Sequence, residues 1–536
     1  MDRVSVFARR RRIKNLETWT LYAILTEAFF LALSPAVAST AVVFGVITWF
    51  LRSRIDSHYK IRSLPFDVPV TIFLLIGGIS VFLSSARSFN LIYNYCSLVG
   101  IYALTYLIVG QTIRTPEQVK HVAQALGASA VLVVLWGFFQ FVFGVDAADV
   151  KWTDPDAFPE LKKRIFSTLE NPNVLAGYLD VMICLALGLL TKAERRAQKI
   201  ILIVAIILLA ACLAMTYSRG AFIAIAVVFA VYGVLKDWRI LILFAAVTGL
   251  IAYSDSSFLN RILSAFNMGD SSEGVRIGIW VSTTAMISDH PFAGIGWGAY
   301  QYVYPQYNYY VADPNIIIYH AHNIYLNYAA EIGIVGALAF FWYFFGTMFI
   351  SFGVSERGAQ KWFSEHMEKI FSSSDFLQEL VALINEKLAD FSERFLDLFG
   401  RKKTPTLKKV RRSDVIHHED MNFSEHTTKK FSDEEQVASV EKISVGGENI
   451  SAKIVKLPVE PEENSSVEWG EVTKIDDKKF LEGMRLGIGL AFLSMALNGL
   501  TDDLLFNIPS SMLMWMLGAL SAAINLVRSE ELGVRS

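Results

Sequence analysis

The chain has 536 residues, 53% of them hydrophobic and 13% aromatic, and its formal net charge is −2. Apolar stretches close to the length needed to cross a hydrocarbon layer of about 30 Å recur along it, which excludes an ordinary soluble protein. The cysteines, Cys96, Cys184 and Cys212, all lie in apolar stretches, which excludes a disulfide framework and a cysteine-based metal site.

The apolar segments predict an all-α polytopic integral membrane protein with about twelve transmembrane helices. No cleavable signal peptide is expected, because paired apolar segments follow the basic start without a small-residue cleavage site. The predicted spans are 17–34, 36–51, 68–86, 91–110, 122–145, 173–191, 200–216, 220–235, 239–253, 322–352, 482–500 and 509–527.

Lysines and arginines predict the orientation of these spans. If the spans alternate, the basic clusters fall on one side, and by the positive-inside rule that side is the cytoplasm. We therefore expect both termini to be cytoplasmic. The clusters are Arg9 to Arg12 with Lys14, Arg52 to Arg62, Arg114 with Lys120, Lys192 to Lys199, Lys236 with Arg239, and Arg528 with Arg535.

A long polar and aromatic loop at 254–321 is then extracytoplasmic and joins helices 9 and 10. Its basic residues are Arg261 and Arg276 alone. Functional residues concentrate on long loops, so we expect the chemistry here.

Residues 353–481 form a polar insertion on the cytoplasmic side. Apolar residues at helical spacing from Leu377 to Leu398 predict an amphipathic helix. The charged remainder is predicted to be largely disordered, and its histidines His417, His418 and His426 are interpreted as solvated residues. The expected parts are 1–352 with helices 1–10, the insertion at 353–481, and 482–536 with helices 11 and 12 and a cytoplasmic tail.

Two arginines on the outer side are candidate site residues. Arg219 lies in the tight turn Thr216-Tyr217-Ser218-Arg219-Gly220, where the alternative is a snorkelling side chain. Arg276 is expected four residues before Trp280 on one helix that runs from about Ser271 to Ser288. The pair is either an anion clamp or a surface pair with Arg276 neutralised by Glu273.

The sequence Pro291-Phe292-Ala293-Gly294-Ile295-Gly296-Trp297-Gly298 follows that predicted helix. No strand precedes it, so we interpret it as a close backbone approach to another segment or a glycan rather than a nucleotide loop. Tyr300 and the tyrosines that follow it predict an interfacial aromatic belt or a sugar-binding groove.

His322 precedes the tenth span, with His320 before it, Asn323 after it and Glu331 deeper in the span. A histidine at a helix start is commonly a hydrogen-bonded surface group. Here the loop offers hardly any other group that titrates near neutral pH, which favours His322 as a base. Glu331 is an intramembrane acid and a candidate for a structural or functional pairing.

These motifs, in this order, resemble the O-antigen ligase and polymerase superfamily of bacterial membrane glycosyltransferases. The resemblance is carried by Glu170-Asn171-Pro172-Asn173, Ser218-Arg219-Gly220, Arg276 with Trp280, His290-Pro291 with its glycines, and His322-Asn323 with Glu331, Gly333 and Gly336. It implies a GT-C-like enzyme of the bacterial cytoplasmic membrane whose site faces outward.

The implied reaction moves a glycan from undecaprenyl diphosphate to a glycan, lipid or protein hydroxyl, with inversion and without metal or cofactor. Arg219 and Arg276 would bind the diphosphate and His322 would be the base, with Trp280, Asn323, His320 and Tyr300 contacting substrate. Ligase and polymerase stay open. Alternatives of another class are a lipid-linked glycan flippase, which should show internal repeats and broken spans, and a membrane scaffold. No nucleic-acid partner is expected.

Overall fold

The computed structural model describes residues 3–144, 164–235, 237–254, 271–308, 317–355, 358 and 476–531. Every regular element within these ranges is helical. The first helices in chain order are α1 (Arg3–Phe30), α2 (Pro35–Ile55), α3 (Asp67–Leu83), α4 (Phe89–Thr112), α5 (Pro116–Phe143), α6 (Pro172–Lys192) and α7 (Arg196–Ala214). They are followed by α8 (Arg219–Leu235), α9 (Arg239–Ser254), α10 (Ser271–Asp289), α11 (Ile324–Ser351), α12 (Asp477–Asn498) and α13 (Ile508–Glu531).

A helix lies at each of the twelve segments predicted to span the membrane. Within the described ranges, eight helices are long and apolar enough to cross a bilayer: α2, α4, α5, α6, α7, α11, α12 and α13. Three more, α3, α8 and α9, contain shorter apolar stretches of 10–17 residues. The chain is therefore a multi-helix membrane protein, and the number twelve stays a prediction.

Helices α6 and α12 cross at the centre of the bundle through glycines. A Cβ atom on Gly188 would lie 2.3 Å from the backbone nitrogen of Gly487 and 2.4 Å from the carbonyl oxygen of Gly483. Small residues let membrane helices approach backbone to backbone, where close packing replaces the hydrophobic driving force. This contact fixes α12 against α6, so the two helix ends keep a constant relation to each other.

One end of these central helices is held by ion pairs. Lys120 Nζ lies 2.5 Å from Asp477 Oδ1, and Lys192 Nζ lies 2.9 Å from Glu482 Oε2. Lys479 is also paired with Glu194. The basic residues that predict the cytoplasmic side thus meet at one end of α12, whereas Asn498 marks its opposite end.

Helix α11 is broken at Gly333, which has φ 70° and ψ 171°. The segment that follows α10 fills the break, because Ile295 N donates to Ala330 O and Gly296 N to Glu331 O at 2.8 and 2.9 Å. Ile334 N donates to Pro291 O at 2.8 Å. The predicted close backbone approach of the glycine segment is confirmed, and its partner is a helix of the chain itself.

The insertion predicted at 353–481 lies almost entirely outside the described residues, including the predicted amphipathic helix at 377–398 and the three histidines. Helix α12 begins at Asp477, before the predicted limit of 481, because Asp476 caps it by accepting a hydrogen bond from Lys478 N at 3.0 Å.

Candidate active site

The end of the bundle away from the ion pairs brings His322 together with Asp502. His322 Nδ1 lies 3.2 Å from Asp502 Oδ1. The histidine side chain is 34% exposed and that of Asp502 13% exposed, so the imidazole is reachable while the carboxylate behind it is largely covered. A carboxylate on Nδ1 fixes the tautomer and orientation of a histidine and leaves Nε2 for chemistry.

Local hydrogen bonds explain why the two residues meet. Asn323 caps α11, since its Oδ1 accepts from Tyr325 N and Leu326 N at 3.0 Å each. Its Nδ2 donates to Leu500 O at 3.0 Å, and Ile324 N donates to Gly499 O at 2.8 Å. The start of α11 is thereby joined to the turn after α12, which carries Asp502.

The second oxygen of Asp502 belongs to a longer relay. Asn173 Nδ2 donates to Asp502 Oδ2 at 2.9 Å, and an Arg164 guanidinium nitrogen donates to Asn173 Oδ1 at 2.8 Å. Arg164 Nε in turn donates to Thr216 O at 2.7 Å. The relay thus connects the catalytic pair with the turn that carries Arg219.

His322 has a strained backbone, with φ 49°. Non-glycine residues in this region cost about 1 kcal/mol or more and persist where surrounding contacts impose them, commonly at functional sites. Here the imposing contacts are the cap at Asn323 and a hydrogen bond from His322 N to His320 Nδ1 at 3.2 Å.

Charge and burial set the protonation of the groups around His322. Burial is the main cause that lowers the pKa of His320 to about 3, and the neighbouring His322 acts in the same direction. His320 is therefore neutral at physiological pH, as its role as acceptor for His322 N requires. Its ring lies between those of His322 and Phe506, with centroid distances of 4.2 and 4.7 Å.

Asp502 stays ionised in spite of its environment. Burial acts to raise the pKa of this carboxyl group, but the hydrogen bond to His322 and the nearby charge of Arg276 hold it well below its usual value. A carboxylate that keeps its charge can stabilise an imidazolium when His322 takes up a proton.

Arg276 and Trp280 approach this pair from α10, which confirms the predicted helix. Trp280 Nε1 donates to Ala321 O at 3.0 Å, next to His322. The charge of Arg276 acts on both His320 and Asp502. Its side chain forms no ion pair or hydrogen bond with any residue that the structure describes, and the Glu273 side chain is not among those residues.

Arg219 begins α8, at the edge of the same end of the bundle. A Cβ atom on the adjacent Gly220 would lie 2.7 Å from Thr501 Oγ1 and 3.4 Å from Asn498 Oδ1. The turn before α8 therefore packs against the turn that carries Asp502. Arg219 and Arg276 thus come to the site from two different helices.

Two expected substrate contacts have structural roles instead. Tyr300 is fully buried, and its Oη lies 2.6 Å from Thr283 Oγ1, so the ring packs the outer segment against α10. Both polar atoms of the Asn323 side chain are used in the cap and in the bond to Leu500. Neither side chain is free for substrate.

Sequence reasoning missed Asp502, Asp503 and Arg164. The sequence signal for Asp502 and Asp503 was available, because they form an acidic pair between the last two predicted spans on the side predicted to be outer. Arg164 has a similar signal, because it precedes the Asn171-Pro172-Asn173 motif on that side.

His320, His322 and Asp502 also form a group whose ligand atoms lie within 4.8 Å of one another. Two histidines and one carboxylate are a donor set that suits zinc or another transition metal. In this structure, however, His320 Nδ1 accepts from His322 N and His322 Nδ1 pairs with Asp502, so these nitrogens are already engaged.

Comparison with known families decides between the interpretations of this arrangement. Residues 176–341 match the family model described as O-antigen ligase. This part of the chain is therefore similar to the O-antigen ligases. This confirms the resemblance to the O-antigen ligase and polymerase superfamily and indicates a membrane enzyme of ligase or polymerase type. No curated protein matches the chain.

The O-antigen ligase match includes some components of the site and leaves out others. Arg219, Arg276 and His322 lie inside the matched residues. Asn173 and Asp502 lie outside them, although both are hydrogen-bonded into the same centre. The centre around His322 is therefore formed by the matched residues together with segments on either side of them.

Proposed function

We propose that the protein transfers a glycan from an undecaprenyl-diphosphate carrier to an acceptor hydroxyl at the outer face of the bacterial cytoplasmic membrane. The observation that supports it best is the His322–Asp502 pair, with Nδ1 and Oδ1 3.2 Å apart and the charge of Arg276 beside it. The family match supports the ligase or polymerase type of the reaction.

Arg219 and Arg276 bind the diphosphate of the donor. As the bond between the anomeric carbon and the diphosphate oxygen breaks, negative charge grows on the leaving group and the sugar becomes oxocarbenium-like. Fixed cations aimed at that charge stabilise the transition state, and loss of one such group costs about 3 kcal/mol. A diphosphate neutralised in this way leaves without a carboxylic acid to protonate it.

His322 is the general base. Its Nε2 takes the proton of the acceptor hydroxyl while the acceptor oxygen forms the new bond to the anomeric carbon. The products are the extended acceptor and undecaprenyl diphosphate, and the anomeric centre is inverted by direct displacement. Asp502 positions the imidazole through Nδ1 and stabilises the imidazolium that forms.

The reaction as proposed needs no metal ion. The two arginines supply the positive charge that a divalent cation supplies in other diphosphate-cleaving enzymes. Exhaustive dialysis against EDTA, with residual metal measured by mass spectrometry, should leave the transfer rate unchanged. If the transfer rate instead collapses on dialysis and returns with Zn²⁺ or Mn²⁺, the proposal of His322 as a general base would be wrong. The result would support a metal site formed by His320, His322 and Asp502.

The broken helix α11 is the feature that a flippase would share. In this chain the break at Gly333 is filled by the backbone of the segment around Gly294, through hydrogen bonds of 2.8 and 2.9 Å. A filled break does not line a translocation path, so this feature favours an enzyme over a transporter.

The test uses purified protein in proteoliposomes with an undecaprenyl-diphosphate-linked glycan. His322→Ala and Arg276→Ala should abolish transfer while both variants remain in the membrane; retained activity in both would contradict the mechanism. A ladder of longer lipid-linked chains would identify a polymerase, and transfer to a separate acceptor a ligase. Donor that crosses the bilayer without bond cleavage would identify a flippase.

A further inference from the structure

A cavity of about 230 Å³ lies on the side of the site beneath His320. One water needs only about 10–15 Å³ measured in the same way, so the cavity accepts a group far larger than a few solvent molecules. Phe506 lines it and also packs on His320, whose ring lies 4.2 Å from that of His322. The rings of Phe506 and His320 thus connect the wall of the cavity with the base. We name it the acidic cavity, after Glu331 and Asp503 in its wall.

These two carboxyl groups are buried, and no side chain that the structure describes is hydrogen-bonded to them. Asp503 is 4% exposed and Glu331 5% exposed. Backbone N–H groups of Leu505 and Phe506 face Asp503, and those of Gly298 and Tyr300 face Glu331, but both oxygens of Asp503 and Oε1 of Glu331 lack a well-aligned hydrogen bond among the described residues. Unsatisfied buried polar atoms cost about 1–3 kcal/mol each, so a native structure that keeps three of them around one cavity requires an explanation. A ligand with hydroxyl donors supplies one.

The rest of the wall has the composition of a carbohydrate site. Aromatic rings of Trp297, Tyr319 and Tyr328 line it together with the amide side chains of Asn94 and Gln301. Flat rings cover the apolar faces of a sugar while amides and carboxylates bind its hydroxyl groups.

Charge separates this cavity from the diphosphate site. Its described wall contains two acidic residues and no basic one, whereas Arg219 and Arg276 are not part of the wall. Burial and the neighbouring Asp502 raise the pKa of Asp503 to about 7, which makes this carboxyl a donor as well as an acceptor near neutral pH. A diphosphate or a uronic acid would meet acidic groups without a compensating cation.

We propose that the acidic cavity is the acceptor subsite and that it takes a neutral, hydroxyl-bearing sugar ring. This inference rests on the proposed function, because it assigns the acceptor side of the same reaction. The ring sits against Trp297 with its hydroxyl groups on Asp503 and Glu331, and the reacting hydroxyl is directed towards His322. Donor and acceptor thus occupy regions of opposite charge on two sides of the base.

The test measures binding without turnover. Full-length protein in nanodiscs is titrated with methyl glucoside, methyl galactoside and methyl mannoside, with glucuronate and inorganic diphosphate as anionic probes. Tryptophan fluorescence is the readout, because Trp297 and Trp515 both line the cavity. At least one neutral glycoside should give a saturable change, and glucuronate should bind at least tenfold more weakly than methyl glucoside.

Variants assign the signal to the cavity. Asp503→Leu should weaken glycoside binding tenfold or more, whereas Asp503→Asn, which keeps an acceptor oxygen, should remain within about threefold of the parent. The exposed Asp289→Asn is the matched control and should bind as the parent does. If the thermal midpoint shows that Asp503→Leu fails to fold, the single variant Asp503→Asn is compared with the double variant Asp503→Asn, Glu331→Gln. The double variant should then bind glycoside more weakly than the single variant.

Three results would overturn the inference: no neutral glycoside binds, glucuronate binds as tightly as methyl glucoside, or a folded Asp503→Leu variant binds glycoside as tightly as the parent. Arg276→Ala separates this inference from the proposed function. It should lose transfer but keep glycoside binding. Transfer that survives in Arg276→Ala and His322→Ala would remove the proposed mechanism while leaving the sugar-binding result intact.

Discussion

Asn173 Nδ2 and Asp502 Oδ2 are hydrogen-bonded at 2.9 Å, although 329 residues separate the two side chains in the chain. Asn173 lies in the first turn of α6 and Asp502 in the turn that follows α12. Helices α6 and α12 pack closely through Gly188, Gly483 and Gly487, and this hydrogen bond joins the same two helices at their other end. The carboxylate that orients His322 is therefore held on its second oxygen by the helix against which α12 packs.

Asp502→Asn should reduce transfer by about a hundredfold to ten-thousandfold, because an amide no longer fixes the tautomer of His322 or stabilises its imidazolium. Single-turnover rates in proteoliposomes measure this loss. The exposed Asp289→Asn should be unaffected. The double variant with His322→Ala should be no slower than His322→Ala alone, since the two residues act as a unit. Losses that multiply would refute their coupling.

Asn173→Ala should lower kcat about tenfold and leave the KM for the lipid-linked donor unchanged. The substitution removes the hydrogen bond to Asp502 Oδ2 and the contact with Arg164 without touching the donor site. The exposed Asn90→Ala is the control. A raised KM at constant kcat would show instead that Asn173 binds donor.

Gly294→Ala should destabilise the protein by about 2 kcal/mol or more, seen as a lower thermal midpoint in detergent. Gly294 has φ +70°, and its added Cβ would lie 2.4 Å from Glu331 O, where the segment enters the break in α11. Gly127→Ala in α5 is the matched control, since its Cβ meets nothing within 4 Å. Equal midpoints for the two variants would argue against the filled break.

His320 should lower the thermal midpoint of the parent relative to His320→Asn, by a difference that grows from pH 7.5 to pH 5. The pKa of His320 is lowered to about 3 in the fold from an ordinary value of 6.5, so the unfolded chain binds the additional proton in this window and His320 becomes more destabilising as pH falls. His320→Asn keeps an acceptor for His322 N but cannot titrate, whereas Asp503, whose raised pKa acts in the opposite direction, is common to both proteins. A difference in midpoint that stays constant with pH would contradict this prediction.

The amino-acid sequence predicted the parts of this molecule that rest on periodicity and local signals. The helical segments follow from apolar length, and α10 from Ser271 to Asp289 follows from its cap and from the proline after it. The placement of His322 before α11 follows from the start of the long apolar stretch after it. Each of these signals is contained within a few residues, so it can be read without knowledge of the fold.

The missing parts depend on contacts between distant segments. Nothing local marks Asp502 as the partner of His322, 180 residues away. The tyrosines after Gly298 suggested substrate contacts, but burial against Thr283 decided the role of Tyr300, and burial is a property of the assembled bundle. The resemblance to the superfamily implied a substrate contact for Asn323, although both of its polar atoms are used by the helix start and the facing turn.

The position of the insertion at 353–481 has a consequence for how the protein could be divided. It separates His322 from Asp502, so a cut within it would leave the imidazole on one polypeptide and its carboxylate on the other. The shorter fragment would carry α12 and α13, and its glycines would dock on α6 of the longer one. Neither half would contain both His322 and Asp502. Glycan transfer that recovers when the two halves are co-expressed would therefore show that the helices of the two halves dock in the membrane.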